Sequence, residues 1–396
     1  MLTVPREEIT ARWQGLQAAL GGAGMAGALL WQGADLYYYT GVFQQGVLWV
    51  PAAGQPVFCV RRSYEEAARY AQLDQVVRIN SYKQLSEVLQ SCGYTLDGVI
   101  GLEYDVLPVQ YYEMLRQLFP AARWQNVSHL IRQQRAVKSA FELKLIRQAA
   151  AALDDAYSAL SGELQPGQAE HQIAARLEQL LRQRGHQGVV RLRGLNSEFH
   201  YGCVLAGPSG GVASYFDGPL GGCGLSLAYP MGPGREVWQT GQPLMIDYVA
   251  CLEGYCVDMS RVFVAGQLPP LLEKAHQVAL EIEQAIVESV RPGRPAEEAH
   301  LLALTMAEKA GLAEHFMGHG SPVGFIGHGV GLELNELPVL ARGIKALLVA
   351  GMVIAVEPKF IFPGLGAVGT ESTYLLTEHK MEKLTRFPAQ LYNIAG

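Results

Sequence analysis

The segments PLMIDYVA (residues 243–250) and GYCVDMSRVFV (254–264) decide the fold, because each has the composition of a buried strand and encloses one acid, Asp247 or Asp258. The two acids are 11 residues apart, a spacing that suits neighbouring strands joined by a short turn. A carboxylate among apolar side chains costs several kcal/mol unless it is paired or bound to a metal ion. The pair therefore predicts a hairpin that faces a cation.

A second pair of acidic segments repeats this pattern later in the chain. MVIAVEPKF (352–360) encloses Glu357, and AVGTESTYLL (367–376) encloses Glu371, 14 residues further on. Any one of these acids, taken alone, is typical of a surface group or a salt bridge. Four of them in four apolar segments predict that the two pairs face one point.

Between the two pairs, the segment IGHGVGLELNELP (326–338) places glycines on both sides of His328. Glycine permits close backbone approach, and histidine is the usual nitrogen ligand of a first-row divalent metal. Four carboxylates and one imidazole form a donor set that suits Mn, Co, Fe or Zn, and two ions can share bridging carboxylates. The sequence therefore predicts a site for two divalent metal ions.

The residues before these segments indicate a separate domain. Residues 1–132 alternate helical and strand patterns, as in an α/β domain, with helices expected over 6–20 and 64–71 and strands over 27–31, 47–51 and 57–60. The polar stretch RQQRAVKS (132–139) has no apolar periodicity and precedes a long helical pattern. We therefore expect one domain over residues 1–132 and a second over residues 139–396.

The second domain shows a weak internal repeat of its helices. Helical patterns cover residues 140–160, 170–184, 271–290 and 296–310. The Pro-Gly steps at 166–167 and 292–293 lie 126 residues apart, and so do Gly185 and Gly311. These equal offsets suggest two similar halves, each with two helices and a sheet.

The composition excludes several functional classes. The chain has 396 residues, of which 49% are hydrophobic and 17% charged, which predicts a globular protein of two or three domains. Its net charge of −6, with no basic block, argues against a nucleic-acid partner. Residues 1–14 place charges where a signal peptide needs an apolar core, and no apolar stretch long enough to span a membrane follows, so we expect a cytoplasmic protein without a membrane partner. The six cysteines form no CxxC pair and are expected to be mostly buried free thiols.

Four segments resemble the metal-binding segments of the pita-bread metallopeptidase family. They are IDYVACLEGYCVDMSRVF, GHGVGLELNELP, GMVIAVEPKF and GTESTYLLT. The first domain and the linker RAVKSAFELKLIRQA (135–149) resemble the prolidase, aminopeptidase P and creatinase branch. The resemblance implies a mixed α/β (α+β) fold, in which a creatinase-like N-terminal domain precedes a pita-bread catalytic domain with a pseudo-twofold repeat, and it implies a homodimer.

The resemblance also implies the ligands and the chemistry. By it, the ligands of two divalent ions are Asp247, Asp258, His328, Glu357 and Glu371, with Asp258 and Glu371 shared between the ions. The implied reaction is hydrolysis of the bond before proline in a short peptide, with Glu357 taking a proton from water and passing it to the leaving nitrogen.

The chain departs from the family beside the ligands. A second histidine usually follows the ligand histidine by seven residues, and that position is Asn335 here, beside Glu336. Asparagine hydrogen-bonds a carbonyl or an oxyanion but cannot transfer a proton near neutral pH. Asn335 and Glu336 are therefore further catalytic candidates, and Asn335 is also a substrate-binding candidate.

A glycine-rich segment, residues 207–234, forms the second departure. The acids of the two halves are offset by 110 and 113 residues, against 126 for the helices, so the first half holds 13–16 extra residues, which we assign to this segment. It contains no histidine, although the family usually has one there, and His200 precedes it. We interpret the segment as a wall of the pocket, with Tyr215 and Asp217 as substrate-binding residues; a surface loop without a chemical role is the alternative.

Two other functions stay open at this point. Asn335 and the altered wall favour a non-peptidase member of the same fold, a C–N hydrolase or a lyase acting on a small molecule. A catalytically silent binding module is the other alternative, and retention of all five ligand types argues against it.

Overall fold

The computed structural model describes residues 2–196, 198 and 201–394. They form two compact units. The first contains the residues up to Arg135 and the segment that begins at Arg193, and the second contains Ala136–Leu192 and the residues from Glu198 onward.

The first unit is built around a six-stranded mixed sheet. Its helices are α1 (Arg6–Gly22), α2 (Gly33–Thr40), α3 (Tyr64–Tyr70), α4 (Leu85–Ser91), α5 (Val109–Leu118) and α6 (Ser128–Ala136). Its strands are β1 (Gly27–Leu30), β2 (Gly46–Pro51), β3 (Val57–Val60), β4 (Gln75–Arg78), β5 (Gly98–Leu102) and β6 (Ala122–Asn126). The strand order is β4-β3-β2-β1-β5-β6, and β1–β2 and β2–β3 are the antiparallel pairs. The helices and strands expected in this part of the chain are thereby confirmed, with ends that differ by one or two residues.

The second unit contains four long helices and most of the strands. The helices are α7 (Ala140–Ser161), α8 (Glu170–Gln183), α9 (Pro270–Ser289) and α10 (Glu297–Lys309). The strands are β7 (Gly202–Ala206), β8 (Leu244–Leu252), β9 (Tyr255–Ala265), β10 (Phe325–Gly329), β11 (Glu336–Ala341), β12 (Val353–Val356), β13 (Lys359–Phe362), β14 (Gly366–Gly369), β15 (Ser372–Leu376), β16 (Met381–Lys383) and β17 (Tyr392–Ile394).

The helices of the second unit lie on its sheets in two similar sets. One sheet has the order β17-β9-β8-β7, another has the order β11-β10-β12-β15-β16, and β13 pairs with β14. Helix α7 packs against α8, β8 and β9, whereas α9 packs against α10, β13 and β14. Each half therefore has two helices on strands, as the repeat predicted.

The polar stretch at 132–139 contains the end of α6, which continues to Ala136. The expectation for the two acidic segments of the second half needs correction, because neither is a continuous strand. Pro358, which has no N–H to donate, separates β12 from β13, and residues 370–371 separate β14 from β15. Glu357 and Glu371 therefore lie at breaks between strands.

The cysteines of the acidic hairpin differ from the expectation of free thiols. Cys251 and Cys256 are directly opposite each other in the β8–β9 register, with 4.2 Å between their Cα atoms, and they form a disulfide. The other four cysteines are free thiols, as expected, but burial holds only for Cys59 and Cys203; Cys92 is partly buried and Cys223 is exposed.

None of the helices within the described residues combines the length and the apolar composition required to cross a bilayer.

Candidate metal centre

The β8–β9 hairpin positions the first pair of acids. Asp247 on β8 lies opposite Ser260 on β9, and Asp258 lies two residues before Ser260. Side chains that are directly opposite, or two residues apart on a strand, lie on the same face of a sheet. Both carboxylates therefore lie on one face of the hairpin.

The second half brings a histidine and two more acids to this face. His328 lies on β10, and Glu357 follows the adjacent strand β12, held there by a hydrogen bond from its backbone N–H to the carbonyl oxygen of Ile326 at 3.0 Å. Glu371 exchanges two backbone hydrogen bonds with Ser260, at 3.2 and 3.3 Å. This exchange joins the second-half acids to the hairpin of the first half.

Three of these side chains converge on a space that fits a metal ion. One ligand atom each from Asp258, His328 and Glu371 lies within 4.8 Å of the other two. The Nε2 atom of His328 is 3.9 Å from Oε1 of Glu371 and 3.5 Å from Oε1 of Glu357. Oδ1 of Asp258 and Oε1 of Glu371 are buried and have no hydrogen-bond partner among the described residues. Buried carboxylate oxygens without a donor, next to an imidazole nitrogen, are what a divalent cation requires.

Lys359 belongs to the same cluster, although the sequence reasoning did not select it. Its Nζ is 2.9 Å from Oδ2 of Asp247, 2.9 Å from Oε2 of Glu357 and 2.6 Å from Oε2 of Glu371, and its side chain is 1% exposed. The sequence could have identified Lys359 as a site residue from its position two residues after Glu357, since alternate residues of an extended segment share a face. The side chain thus adds a cation to the four acids.

The charges of the cluster perturb one another. Burial, reinforced by the neighbouring carboxylates of Glu371 and Asp247, raises the pKa of Asp258 well above its usual range. Burial also raises the pKa of Glu371 to about 8, against the opposing effect of the Lys359 ammonium. Burial alone would lower the pKa of Lys359, but the surrounding carboxylates, Asp247 first among them, raise it well above its ordinary value. The acids lack sufficient positive charge in their surroundings, even with Lys359 beside them.

Buried polar side chains fix the acids in place. Arg261 is fully buried and donates a hydrogen bond to the carbonyl oxygen of Glu371 at 2.5 Å. The hydroxyl of Ser260 donates to Oε2 of Glu371 at 2.9 Å. The hydroxyl of Thr373 accepts from the N–H of Asp258 at 3.0 Å and donates to the carbonyl oxygen of the same residue at 2.8 Å. These contacts hold the carboxylates in position before a metal binds.

A pocket opens onto the cluster, and part of the glycine-rich segment lines it. Among the predicted substrate-binding residues, Asp217 and Asn335 line this pocket, together with Phe216, which the sequence reasoning missed. Tyr215 is 58% exposed and is not among the described residues that line the pocket; its ring packs edge-on against Tyr229. His200 lies outside the described residues. The segment therefore lines the pocket through residues 216–220 and Met231, with Asp217 but not Tyr215 among them.

Glu170 at the start of α8 fixes both ends of the glycine-rich segment. Its Oε1 accepts a hydrogen bond from the N–H of Ala206 at 2.6 Å, and its Oε2 accepts one from the N–H of Gly234 at 2.7 Å. Its side chain is fully buried, and burial raises its pKa. One carboxylate thus closes residues 207–233 into a loop beside the pocket.

Glu336 lies next to Asn335 in the chain but has different surroundings. It is not among the described residues that line the pocket, and its Oε2 accepts a hydrogen bond from Nζ of Lys138 at 3.1 Å. Its Oε1 accepts from the N–H of Glu333 at 3.2 Å. The carboxylate is therefore engaged in a buried ion pair that holds the turn after His328.

Two family models match this chain. The model of metallopeptidase family M24 matches residues 144–378, and that of the creatinase/prolidase N-terminal domain matches residues 12–137. An Xaa-Pro dipeptidase of Pyrococcus horikoshii is 25% identical over 368 residues, which cover 92% of this chain and 93% of that protein.

Solved structures with the same fold span the whole chain. An Xaa-Pro dipeptidase from Bacillus anthracis superposes with a TM-score of 0.82 at 24% identity, covering 97% of this chain and 99% of that one. A dipeptidase from Mycobacterium ulcerans has a TM-score of 0.82 at 24% identity, and the match covers 100% of both chains. At this identity, the two structures establish the fold alone.

Proposed function

The chain belongs to metallopeptidase family M24, and on that premise we propose that it hydrolyses the peptide bond before proline in short peptides. The similarity to Xaa-Pro dipeptidases supports this specificity. The strongest support from the structure is the convergence of Asp258, His328 and Glu371, whose buried donor atoms lie within 4.8 Å of one another beside a pocket.

The enzyme is of the metallopeptidase type and depends on divalent metal ions. We propose that its ligands come from the predicted set of Asp247, Asp258, His328, Glu357 and Glu371. Oxygen donors dominate this set, with one imidazole and no thiolate, which is compatible with Mn, Co, Zn or Fe. The sequence predicts two ions, and the position of Lys359 bears on that number.

A divalent ion held by residues of this set would lower the pKa of water and polarise a carbonyl group. Glu357 is the proposed proton acceptor. Its Oε2 is held 2.9 Å from Nζ of Lys359, while its Oε1 is on the side of His328, at 3.5 Å from Nε2. One oxygen is therefore fixed by an ammonium group, and the other is left to take a proton from water and deliver it to the leaving nitrogen.

The pocket residues supply the proposed contacts to the peptide. Asp217 lines the pocket and is exposed, so its carboxylate is available to the amino terminus of a short peptide. Asn335 lines the same pocket, and its amide can donate a hydrogen bond to the scissile carbonyl oxygen and to the oxyanion that forms from it. These two contacts favour a peptide bound with its amino terminus at the centre.

The wider organisation also stays a proposal. We propose a creatinase-like domain over residues 1–132 and a catalytic domain over 139–396, in a homodimer located in the cytoplasm.

Steady-state kinetics on Gly-Pro, Ala-Pro and Ala-Pro-Ala, with Mn²⁺, Co²⁺ or Zn²⁺, test the proposed function. We expect turnover of at least one of these peptides and none of Ala-Ala. Asn335→Ala should lower kcat/KM by about 10²–10³-fold, the usual effect of losing an oxyanion donor, and Asn335→His should retain or raise the activity. Asn80→Ala, which changes an exposed asparagine of the first unit, is the matched control and should leave the kinetics unchanged.

The outcome that contradicts the proposal is equally definite. If the wild type turns over no proline peptide with any of the metals, and Asn335→His gains no activity, the proline-specific function is wrong. The divalent metal centre is a separate question, which binding measurements answer.

A further inference from the structure

The acidic centre offers two places for a cation, and one of them holds the ammonium group of Lys359. The first place is surrounded by Asp258, His328 and Glu371, whose ligand atoms lie within 4.8 Å of one another and include two buried oxygens without a hydrogen-bond partner among the described residues. The second place is surrounded by Asp247, Glu357 and Glu371, and Nζ of Lys359 lies between them.

We propose that the ammonium group of Lys359 takes the place of a second divalent ion, so that this centre binds a single metal ion at Asp258, His328 and Glu371. The inference rests on the metal-dependent function proposed above and changes the number of ions that the sequence predicts.

The contacts of Lys359 support this assignment. Its Nζ donates hydrogen bonds to Oε2 of Glu357 at 2.9 Å and to Oε2 of Glu371 at 2.6 Å, and it forms an ion pair with Oδ2 of Asp247 at 2.9 Å. The side chain is 1% exposed, so its charge depends on these three carboxylates. A buried ammonium among three carboxylates has the environment of a bound cation.

The backbone keeps Lys359 in this position. Lys359 begins β13, where it pairs with Gly369 of β14, and its carbonyl oxygen accepts a hydrogen bond from Met317 at 2.9 Å. A Cβ atom at Gly369 would lie 2.7 Å from the Cα of Lys359 and 2.4 Å from the carbonyl oxygen of Pro358. The close approach of the two strands therefore requires glycine at 369, and it fixes the backbone from which the lysine reaches the acids.

A second metal ion conflicts with this arrangement. Carboxylate oxygens bind a transition metal at about 2.0–2.2 Å, which requires the space that Nζ fills between Asp247 and Glu371. An ion beside the ammonium would also be repelled by it, and displacing the ammonium would leave it buried without partners. One divalent ion and one ammonium supply three positive charges against four carboxylates, whereas two ions beside the ammonium would supply five.

Metal stoichiometry is the direct test. Purified protein is stripped with a chelator, reloaded with excess Mn²⁺, Co²⁺ or Zn²⁺, passed through a desalting column and analysed for metal by mass spectrometry, with calorimetric titration in parallel. We expect one tightly bound equivalent per chain. With Mn²⁺, the electron paramagnetic resonance spectrum should show the hyperfine pattern of an isolated ion rather than of an exchange-coupled pair.

Variants of Lys359 give the complementary result. Lys359→Ala removes the ammonium and opens its space, and we expect this variant to bind a second equivalent and to show the spectrum of a coupled pair. Lys383→Ala is the matched control, because it also removes one lysine charge but from a partly buried residue that faces Glu283, at 3.8 Å. Its stoichiometry should equal that of the wild type.

Each outcome separates this inference from the proposed function. Two equivalents and a coupled spectrum in the wild type overturn the inference and leave the peptidase proposal intact. No bound metal in the wild type overturns both. One equivalent without hydrolysis of any proline peptide supports the inference and contradicts the proposed function. Because the decisive measurements use the wild type, the inference stays falsifiable even if Lys359→Ala does not fold.

Discussion

Removing the carboxylate of Glu336 should destabilise the second unit, because it leaves Lys138 without its partner in the interior. The two side chains are 1% and 5% exposed, and Nζ of Lys138 is 3.1 Å from Oε2 of Glu336. Breaking a buried ion pair by removing one partner costs about 3–5 kcal/mol. In Glu336→Ala, the ammonium keeps the carbonyl oxygen of Ala136, at 3.3 Å, and the N–H of Glu333 loses its acceptor. We therefore expect the free energy of unfolding to fall by an amount within that range. A folded protein typically has a free energy of unfolding of about 5–15 kcal/mol, so the loss is about one third of the total.

Urea-induced unfolding followed by far-UV circular dichroism measures this change. The double variant Lys138→Met/Glu336→Leu should recover most of the loss, since it removes both buried charges at once. Glu298→Ala breaks an exposed pair with Arg294 and is the control, with an expected change below about 1 kcal/mol.

Two results would refute the reasoning. If Glu336→Ala unfolds within about 1 kcal/mol of the wild type, the pair does not stabilise the fold. If stability is unchanged while kcat falls by at least about 10²-fold, Glu336 belongs to proton transfer, as the sequence predicted.

The remaining predictions concern the centre and one buried histidine. Glu357→Gln should lower kcat by at least about 10²-fold and change KM less, measured by steady-state kinetics, because it removes the proton acceptor while keeping its shape. Asp258→Ala should lose most of the bound metal while its circular dichroism spectrum stays that of the wild type; unchanged metal content would show that Asp258 is not a ligand. Burial lowers the pKa of His276 from 6.5 to about 4. As the pH drops, the unfolded state therefore binds a proton before the folded state does, and the folded protein should lose up to about 3 kcal/mol of stability between about pH 6.5 and pH 4. In His276→Leu, the unfolding free energy measured across this pH range should no longer show that part of its dependence on pH.

Periodicity explains which parts of the fold could be predicted. The helices α7 to α10 carry apolar residues at helical spacing and end near Pro-Gly or Gly residues. Both the spacing and the helix-terminating residues are local properties of the sequence. The β8–β9 hairpin was predictable for the same reason, since an apolar segment on each side of Glu253-Gly254 leaves only a short turn between them. Pro358 also carried a local signal, and reading 352–360 as one strand overlooked it.

The surroundings of individual side chains depended on contacts that no local pattern reveals. Glu336 pairs with Lys138, which is 198 residues away in the sequence. Tyr215 and Phe216 are neighbours in a segment without regular structure. Neither helical nor strand spacing of apolar residues could therefore predict which of the two lines the pocket. Lys359, in an apolar strand, has the pattern of an edge residue in solvent, and only the presence of three acids around it explains its burial.

The two halves of the second unit contribute differently to the charge of the centre, and the strand break at Pro358 explains how. The first half supplies two carboxylates from continuous strands. The second half supplies two carboxylates, the imidazole of His328 and the ammonium of Lys359, from the ends of short strands. Because Pro358 ends β12, Lys359 begins a new strand and reaches the acids as Glu357 does. A cation that is part of the chain cannot dissociate, so Lys359 offsets part of the repulsion among the four acids even before a metal ion binds.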